Sequence, residues 1–294
     1  MTHRRALLLM VLVTLLWSSA GIVSRQLQSA RPFEVTFWRS AFTVLALLLW
    51  WGVREGRAGL APMRHPSPML WASAACWAVM FTAFMVAVSI SPVAQVLVVM
   101  SLGPLITALL AWLLLRQPIA RRTGVAVALA GFGVAWMFGA EARPGVGALV
   151  ALAVPLAAAV NWIVLQRQAR SLAHSQADSV SLPHAVALGG LISAALTLPL
   201  AWPFAAAPAD LLWLAYLGVF QLGLPCVLVV HLSKVLSATE LALLAQLELL
   251  FGVAWVWWLA GERPSASTLT GGCLVLFALF LNELRRPRAQ ETPR

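Results

Sequence analysis

Charge is scarce in this chain of 294 residues. Only 10% of the residues are charged and 61% are hydrophobic, whereas soluble domains carry about 25% charged residues. A composition this poor in charge cannot cover the surface of a water-soluble domain with polar groups. The sequence therefore predicts an integral membrane protein.

Motifs for metal, ATP and catalysis are also lacking. The three cysteines and five histidines are scattered along the chain, so the spacing of a metal site or a disulfide framework is absent. Lysine occurs once, at Lys234, and no G-x-x-x-x-G-K-[ST] loop surrounds it. We therefore expect no metal, no cofactor and no enzymatic activity, and any energy source must be a gradient of substrate, protons or ions.

Long apolar runs fill most of the chain. A helix needs about 20 apolar residues to cross the hydrocarbon layer, and the alternation typical of barrel strands does not occur. The runs predict an all-α protein with ten transmembrane helices. They cover residues 6–26, 33–53, 69–90, 93–115, 123–140, 146–166, 180–202, 210–232, 238–259 and 268–284. The first run resembles a signal peptide, but it continues to Ser24 and we expect a retained helix.

The net charge of +10 raises the question of nucleic-acid binding, and the positions of the cations argue against it. Most of the 20 Lys and Arg residues lie in the termini and in the even-numbered connectors. The exceptions are Arg25, Arg31, Arg39, Arg143 and Arg263. Because positive residues favour the cytoplasmic side, we predict both termini in the cytoplasm, the lipid bilayer as a partner, and no nucleic acid.

Notable residues of the two halves of the chain pair at a constant separation of 145 positions. The pairs are Trp17 with Trp162, Arg39 with His184, Gly103 with Glu248, and Trp112 with Trp257. The chain is therefore predicted to contain two five-helix repeats, residues 1–143 and 146–294, in one membrane domain. An odd number of helices in each repeat inverts the second relative to the first, which is typical of transporters.

Several segments resemble the drug/metabolite transporter superfamily, in its ten-helix EamA-type exporter branch. They are "LLWSSAGIV", "EVTFWRSAF", "SISPVAQVLVVMSLGPLITALLAWLLLRQPI", "GVAVALAGFGVAW", "LSATELALLAQLELLFGVAWVWWLAGERPS" and "GGCLVLFALFL". The resemblance implies a secondary transporter in the bacterial inner (plasma) membrane. It would export amino acids, aromatic and other neutral ones included, or similar small metabolites. We expect a monomer, with a dimer as the alternative.

Three other functions are the alternatives. A multidrug or metabolite facilitator would share the fold. An integral-membrane lipid enzyme needs clustered His, Asp or Glu groups at one face, and the histidines are scattered. A channel or scaffold predicts a polar stripe or an assembly face, which an inverted repeat does not favour.

Two charged residues in apolar segments are candidate substrate-binding residues. Glu248 lies near the middle of its predicted helix, where burying a charged side chain costs roughly a few kcal/mol. It would bind a substrate ammonium or couple protons, or else pair with another helix. Arg39 lies about two turns inside its helix and would either bind a substrate carboxylate or extend to the membrane interface.

The other candidates are aromatic or uncharged, apart from one histidine. Tryptophan faces suit apolar substrate groups, and small polar groups fix orientation, although helix packing explains the same residues. His184 would couple protons or fill a structural role. The candidates are Trp17, Ser18, Trp38, Trp77, Ser101, Asn161, Trp162, His184 and Gln246.

Overall fold

The computed structural model of the protein describes residues 1–64, 66–115, 121–140, 145–174, 182–236, 241, 244–245, 247–259 and 263–283. Within these ranges the regular structure is helical and contains no strand, in agreement with the all-α prediction. The helices are α1 His3–Ser24, α2 Pro32–Gly59, α3 Pro68–Ile90, α4 Val93–Met100, α5 Gly103–Leu115, α6 Arg121–Ala140, α7 Val146–His174, α8 Pro183–Ala201, α9 Pro208–Tyr216, α10 Leu224–Leu232, α11 Leu247–Leu259 and α12 Ala266–Glu283. A 3₁₀ turn, Ala61–Met63, follows α2, and a π-helical segment, Leu217–Gly223, joins α9 to α10.

Six helical stretches in the described ranges are long and apolar enough to cross a membrane. They are His3–Ser24, Pro32–Gly56, Pro68–Ile90, Val146–Leu165, Pro183–Ala201 and Pro208–Leu232. Shorter apolar helices lie at the other four predicted spans, namely Gln95–Leu110, Gly124–Gly133, Leu247–Leu259 and Ala266–Ala278. The chain is a multi-pass membrane protein, while the number of ten crossings stays a prediction.

The span predicted over residues 93–115 is interrupted. α4 ends at Met100, Ser101 and Leu102 form a turn, and α5 begins at Gly103. Pro104 explains the interruption, because proline has no N–H for the carbonyl of Met100 and its ring clashes with that carbonyl. Proline is tolerated in the first turn of a helix, so α5 starts there.

The π-helical segment has a similar cause. Pro225 lies at the start of α10 and has no N–H to donate to the carbonyl of Gln221. The regular hydrogen-bond pattern is therefore lost at Gln221, which lies within the π-helical segment. Such segments inside α-helices are often found at functional sites.

Glycine lets helices of the bundle approach each other closely. α3 packs against α7 and α8, and α2 packs against α8 and the π-helical segment. At Gly189 of α8, a Cβ atom would lie 2.5 Å from the Cβ of Trp77 and 2.8 Å from the carbonyl oxygen of Ala74. The glycine pair at 189–190 therefore serves close packing, as small residues do in membranes.

Candidate functional site

A central cavity in the bundle is lined by residues of both halves of the chain. Its volume is about 130 Å³, which is far above the roughly 15 Å³ that one water molecule requires. The cavity therefore has room for more than isolated waters. Its lining consists of Trp17, Arg39, Trp77, Met80, Phe81, Phe84, Leu97, Met100, Ser101, Gly103, Pro104, Val154, Pro155, Ala158, Trp162, Gln221, Leu222, Cys226, Ala245, Glu248 and Leu249.

Aromatic side chains form much of this lining. Trp17 of α1 and Trp162 of α7, which are related by the 145-residue separation, both face the cavity. Trp77 and Phe81 of α3 pack against each other, with ring centroids 5.5 Å apart. Aromatic rings offer large apolar contact areas and tolerate different shapes, so this surface suits an apolar group of variable size.

Arg39 lies deep in the protein rather than at the membrane interface, since its side chain is only 1% exposed. Its Nη2 donates to the carbonyl oxygen of Phe81 at 2.9 Å, and its Nη1 donates to Oε1 of Gln221 at 3.3 Å. Its Nε is buried without a hydrogen-bond partner. The guanidinium also lies over the rings of Phe81 and Phe84, at 6.0 and 5.8 Å. Arg39 is thus a buried cation held by neutral groups.

Glu248 also lines the central cavity and is 9% exposed. No hydrogen bond joins its carboxylate to any other described residue, and it forms no direct ion pair with Arg39. The cavity therefore contains a basic and an acidic side chain that do not contact each other directly.

The structure places two predicted site residues just outside the cavity lining. Ser18 is buried, where its Oγ donates to the carbonyl oxygen of Leu15 at 2.8 Å and accepts from Nε1 of Trp255 at 3.1 Å. Asn161 is fully buried, and its Oδ1 accepts from Oγ of Ser73 at 2.7 Å. Both residues join helices.

His184 and Trp38 lie away from the cavity. His184 stacks on Trp51 with ring centroids 4.0 Å apart, and its Nε2 donates to the carbonyl oxygen of Gly59 at 2.7 Å. Trp38 packs near Phe42 and Phe204, with ring centroids 5.8 and 5.1 Å away. Ser101 does line the cavity, at the turn between α4 and α5. Gln246 lies outside the described residues.

Sequence reasoning missed one polar residue of the cavity, Gln221. Its side chain is 2% exposed and bridges two helices, because its Nε2 donates to the carbonyl oxygen of Trp17 at 3.2 Å. The signal for it was Pro225, four residues later, which marks the irregular helix that carries Gln221.

No group of three or more His, Cys, Asp or Glu side chains within the described ranges could hold a metal ion. Cys226 is the cysteine that reaches the cavity lining, and it is a free thiol. The lining of the cavity can bind a ligand by charge, hydrogen bonds and aromatic contact.

Comparisons with known proteins agree with this architecture. A family model described as the EamA-like transporter family matches residues 4–139 and again residues 145–284. The pseudopaline exporter CntI of Pseudomonas aeruginosa (strain UCBPP-PA14) is 26% identical over 282 residues, covering 94% of each chain. A protein crystal structure superposes with a TM-score of 0.65 at 19% identity, covering 96% of this chain and 98% of the other. That structure shares the fold.

Proposed function

Because the chain belongs to the EamA-like transporter family and is a membrane transporter, we propose that it exports amino acids or similar small metabolites across the inner membrane. Aromatic and other neutral amino acids fit best. The observation that carries this proposal is the central cavity, which combines a buried cation, a carboxylate and aromatic faces. These three features match the three parts of a neutral amino acid: carboxylate, ammonium and side chain.

Two buried donors in the cavity lining need a partner. Nε of Arg39 and Nε1 of Trp77 are both buried without one, and a buried unsatisfied donor costs about 1–3 kcal/mol. A substrate carboxylate next to Arg39 supplies acceptor oxygens in the geometry that a guanidinium prefers. We therefore assign Arg39 to the carboxylate end.

Glu248 is assigned to the ammonium end. Its carboxylate is buried, and the described residues supply it with no donor. A substrate ammonium offers three donors and would compensate the cost of burying this charge. The side chain of the substrate would then contact the rings of Trp17, Trp77 and Trp162, because all three line the same cavity.

Alternating access between two inverted repeats is part of the proposal. The family model matches the chain twice, at residues 4–139 and 145–284, and Trp17 of α1 and Trp162 of α7, 145 residues apart, both line the cavity. Inverted repeats permit inward-open and outward-open forms around one central site. The distribution of Lys and Arg favours both termini in the cytoplasm.

Export is the proposed direction, since the 26% identical relative is named as an exporter. A multidrug or metabolite facilitator is the second candidate, because most of the lining residues of the cavity are apolar. An amino-acid exporter and a facilitator differ in whether the substrate must carry both a carboxylate and an ammonium group. A facilitator would carry apolar cations and neutral compounds at least as well as zwitterions.

Transport by the purified protein in liposomes tests the proposal. A panel of labelled neutral amino acids, L-phenylalanine and L-leucine among them, is expected to show saturable flux and counterflow. Trp162→Ala is expected to reduce the flux of L-phenylalanine, whereas Trp213→Ala, at a side chain that is 42% exposed, leaves it unchanged. Absence of flux for the whole panel, with flux of hydrophobic cations, would favour the facilitator.

A further inference from the structure

The π-helical segment holds both the backbone and the side chain of Arg39. The hydroxyl of Thr43 is 2.9 Å from the carbonyl oxygen of Arg39 and 2.7 Å from that of Gly218, so it links α2 to this segment. A Cβ at Gly218 would lie 2.6 Å from the carbonyl oxygen of Arg39. The two backbones are therefore in direct contact, and any side chain at position 218 would separate them.

Gln221, three residues further along, holds the guanidinium. Its Oε1 accepts from Nη1 of Arg39 at 3.3 Å, and its Nε2 donates to the carbonyl oxygen of Trp17 at 3.2 Å. Because an amide has one acceptor end and one donor end, its bond to Trp17 fixes which end faces Arg39. The amide therefore presents its oxygen to the cation.

The two groups that accept hydrogen bonds from Arg39 are neutral. This arrangement is suited to binding an anionic ligand and differs from a structural ion pair, in which a carboxylate neutralises the guanidinium. Gln221 and the carbonyl of Phe81 fix two edges of the guanidinium without cancelling its charge. A guanidinium has five N–H donors, so donors remain, including the unpartnered Nε. A carboxylate at position 221 would fix the same edge but would neutralise the cation.

We propose that Gln221 is a positioning residue, which holds the Arg39 guanidinium as a cation without a direct ion-pair partner, ready for the carboxylate of the transported substrate. This inference rests on the proposed function of Arg39. The π-helical segment supplies the required register, since a π turn adds a residue to the turn and changes the direction of the side chains that follow. Gln221 thereby determines specificity for substrates that carry a carboxylate.

The test compares substrates with and without the carboxylate. Counterflow of labelled L-phenylalanine in liposomes is competed with unlabelled L-phenylalanine or with phenylethylamine, which lacks the carboxylate. The wild type is expected to prefer the amino acid. Gln221→Leu is expected to reduce that preference by about tenfold, because a hydrogen bond to a charged group contributes roughly this factor.

Two further variants separate positioning from general packing. Gln221→Glu keeps an acceptor beside Arg39 but neutralises it, and we expect the preference to move towards the amine. Ser40→Ala removes a buried hydrogen bond between α2 and α8, from Oγ of Ser40 to Oγ of Ser193 at 3.1 Å, and leaves the contacts of the guanidinium in place, so its preference is expected to equal that of the wild type. An unchanged preference in both Gln221 variants would overturn the inference.

If the wild type transports no amino acid, the proposed function has failed. A second measurement then tests the role of Gln221 independently of transport. Phenylglyoxal modifies accessible guanidinium groups, and its reaction at Arg39 is followed by mass spectrometry. Gln221→Leu is expected to raise the labelling rate several-fold, while Ser40→Ala leaves it unchanged. Equal rates in the wild type and in Gln221→Leu would contradict the positioning role without reference to transport.

Discussion

Glu34 and Asp210 are linked by a reciprocal set of hydrogen bonds. Each carboxylate accepts from backbone N–H groups in the connector that leads into the other residue's helix. Asp210 of α9 accepts from the backbone N–H groups of Gln28, Ser29 and Ala30, at 2.9, 3.0 and 3.1 Å, in the α1–α2 connector. Glu34 of α2 accepts from backbone N–H groups of residues 205 and 206, at 3.0 and 2.8 Å, in the α8–α9 connector. Both carboxylates are almost fully buried, with 0% and 1% exposure. This exchange joins the two halves of the chain at one end of the bundle.

Replacing Asp210 is therefore expected to destabilise the protein. In Asp210→Asn one oxygen becomes an NH₂ group, which opposes backbone donors and removes the charge. Each charge-assisted hydrogen bond contributes about 1.5–3 kcal/mol, so we expect a loss of roughly 3 kcal/mol in unfolding free energy. Thermal unfolding of the purified protein in detergent measures it.

Glu55→Gln is the matched control for this prediction, because Glu55 is an exposed carboxylate on α2 and surface changes usually stay within about 0.5 kcal/mol. The double variant Glu34→Gln/Asp210→Asn should lose less than the sum of its single variants, since both carboxylates stabilise the same pair of connectors. Strict additivity would mean that the two contacts are independent.

Gly189 offers a test of the packing between α3 and α8. In Gly189→Ala the new methyl would lie 2.5 Å from the Cβ of Trp77 and 2.8 Å from a backbone oxygen, and neither atom can move without its helix. Overpacking of this kind costs about 1–3 kcal/mol. We expect a lower unfolding temperature and, because Trp77 lines the cavity, weaker transport.

Gly131→Ala is the control for that substitution. Nothing lies within 4 Å of a Cβ at Gly131, and alanine is favoured over glycine in a helix by up to about 1 kcal/mol. The unfolding temperature should remain the same or rise. A decrease as large as that of Gly189→Ala would show that close packing does not explain the effect at Gly189.

The sequence predicts the apolar helices well because a membrane-crossing segment depends mainly on length and hydrophobicity. It predicts interruptions less well. Pro104 and Pro225 were visible, but proline is tolerated in membrane helices when neighbouring groups compensate. Only the packed structure shows that α4 ends before Pro104 and that a π-helical segment precedes Pro225.

Site residues depend on which face of a helix they occupy, and hydropathy does not show this in a helix that is apolar on all sides. Neighbouring residues point about 100° apart on a helix. Trp162 thus faces the cavity while Asn161 bonds to Ser73. In the same way Arg39 faces the cavity while Trp38 packs against Phe42.

Arg39→Lys tests whether the planar guanidinium matters beyond its charge. Lysine keeps the positive charge, but its single ammonium cannot reproduce the fixed fork geometry that contacts both Phe81 and Gln221. We expect the flux of L-phenylalanine into liposomes to fall by about tenfold or more. Arg54→Lys is the control, because Arg54 is exposed and lies over the ring of Trp50. Equal flux in the wild type and Arg39→Lys would show that charge alone suffices.

Glu248→Gln tests the assignment of the ammonium end. The amide has nearly the same shape as the carboxylate but lacks its charge, so it binds an ammonium less strongly and leaves Arg39 as the remaining charge in the pair. We expect flux of L-phenylalanine to fall by about tenfold, while competition by N-acetyl-L-phenylalanine, which has no ammonium, is retained or strengthened. Flux measured at two proton gradients separates this role from proton coupling. If Glu248→Gln abolishes only the dependence on the gradient and leaves the competition profile unchanged, Glu248 carries protons and does not bind the substrate.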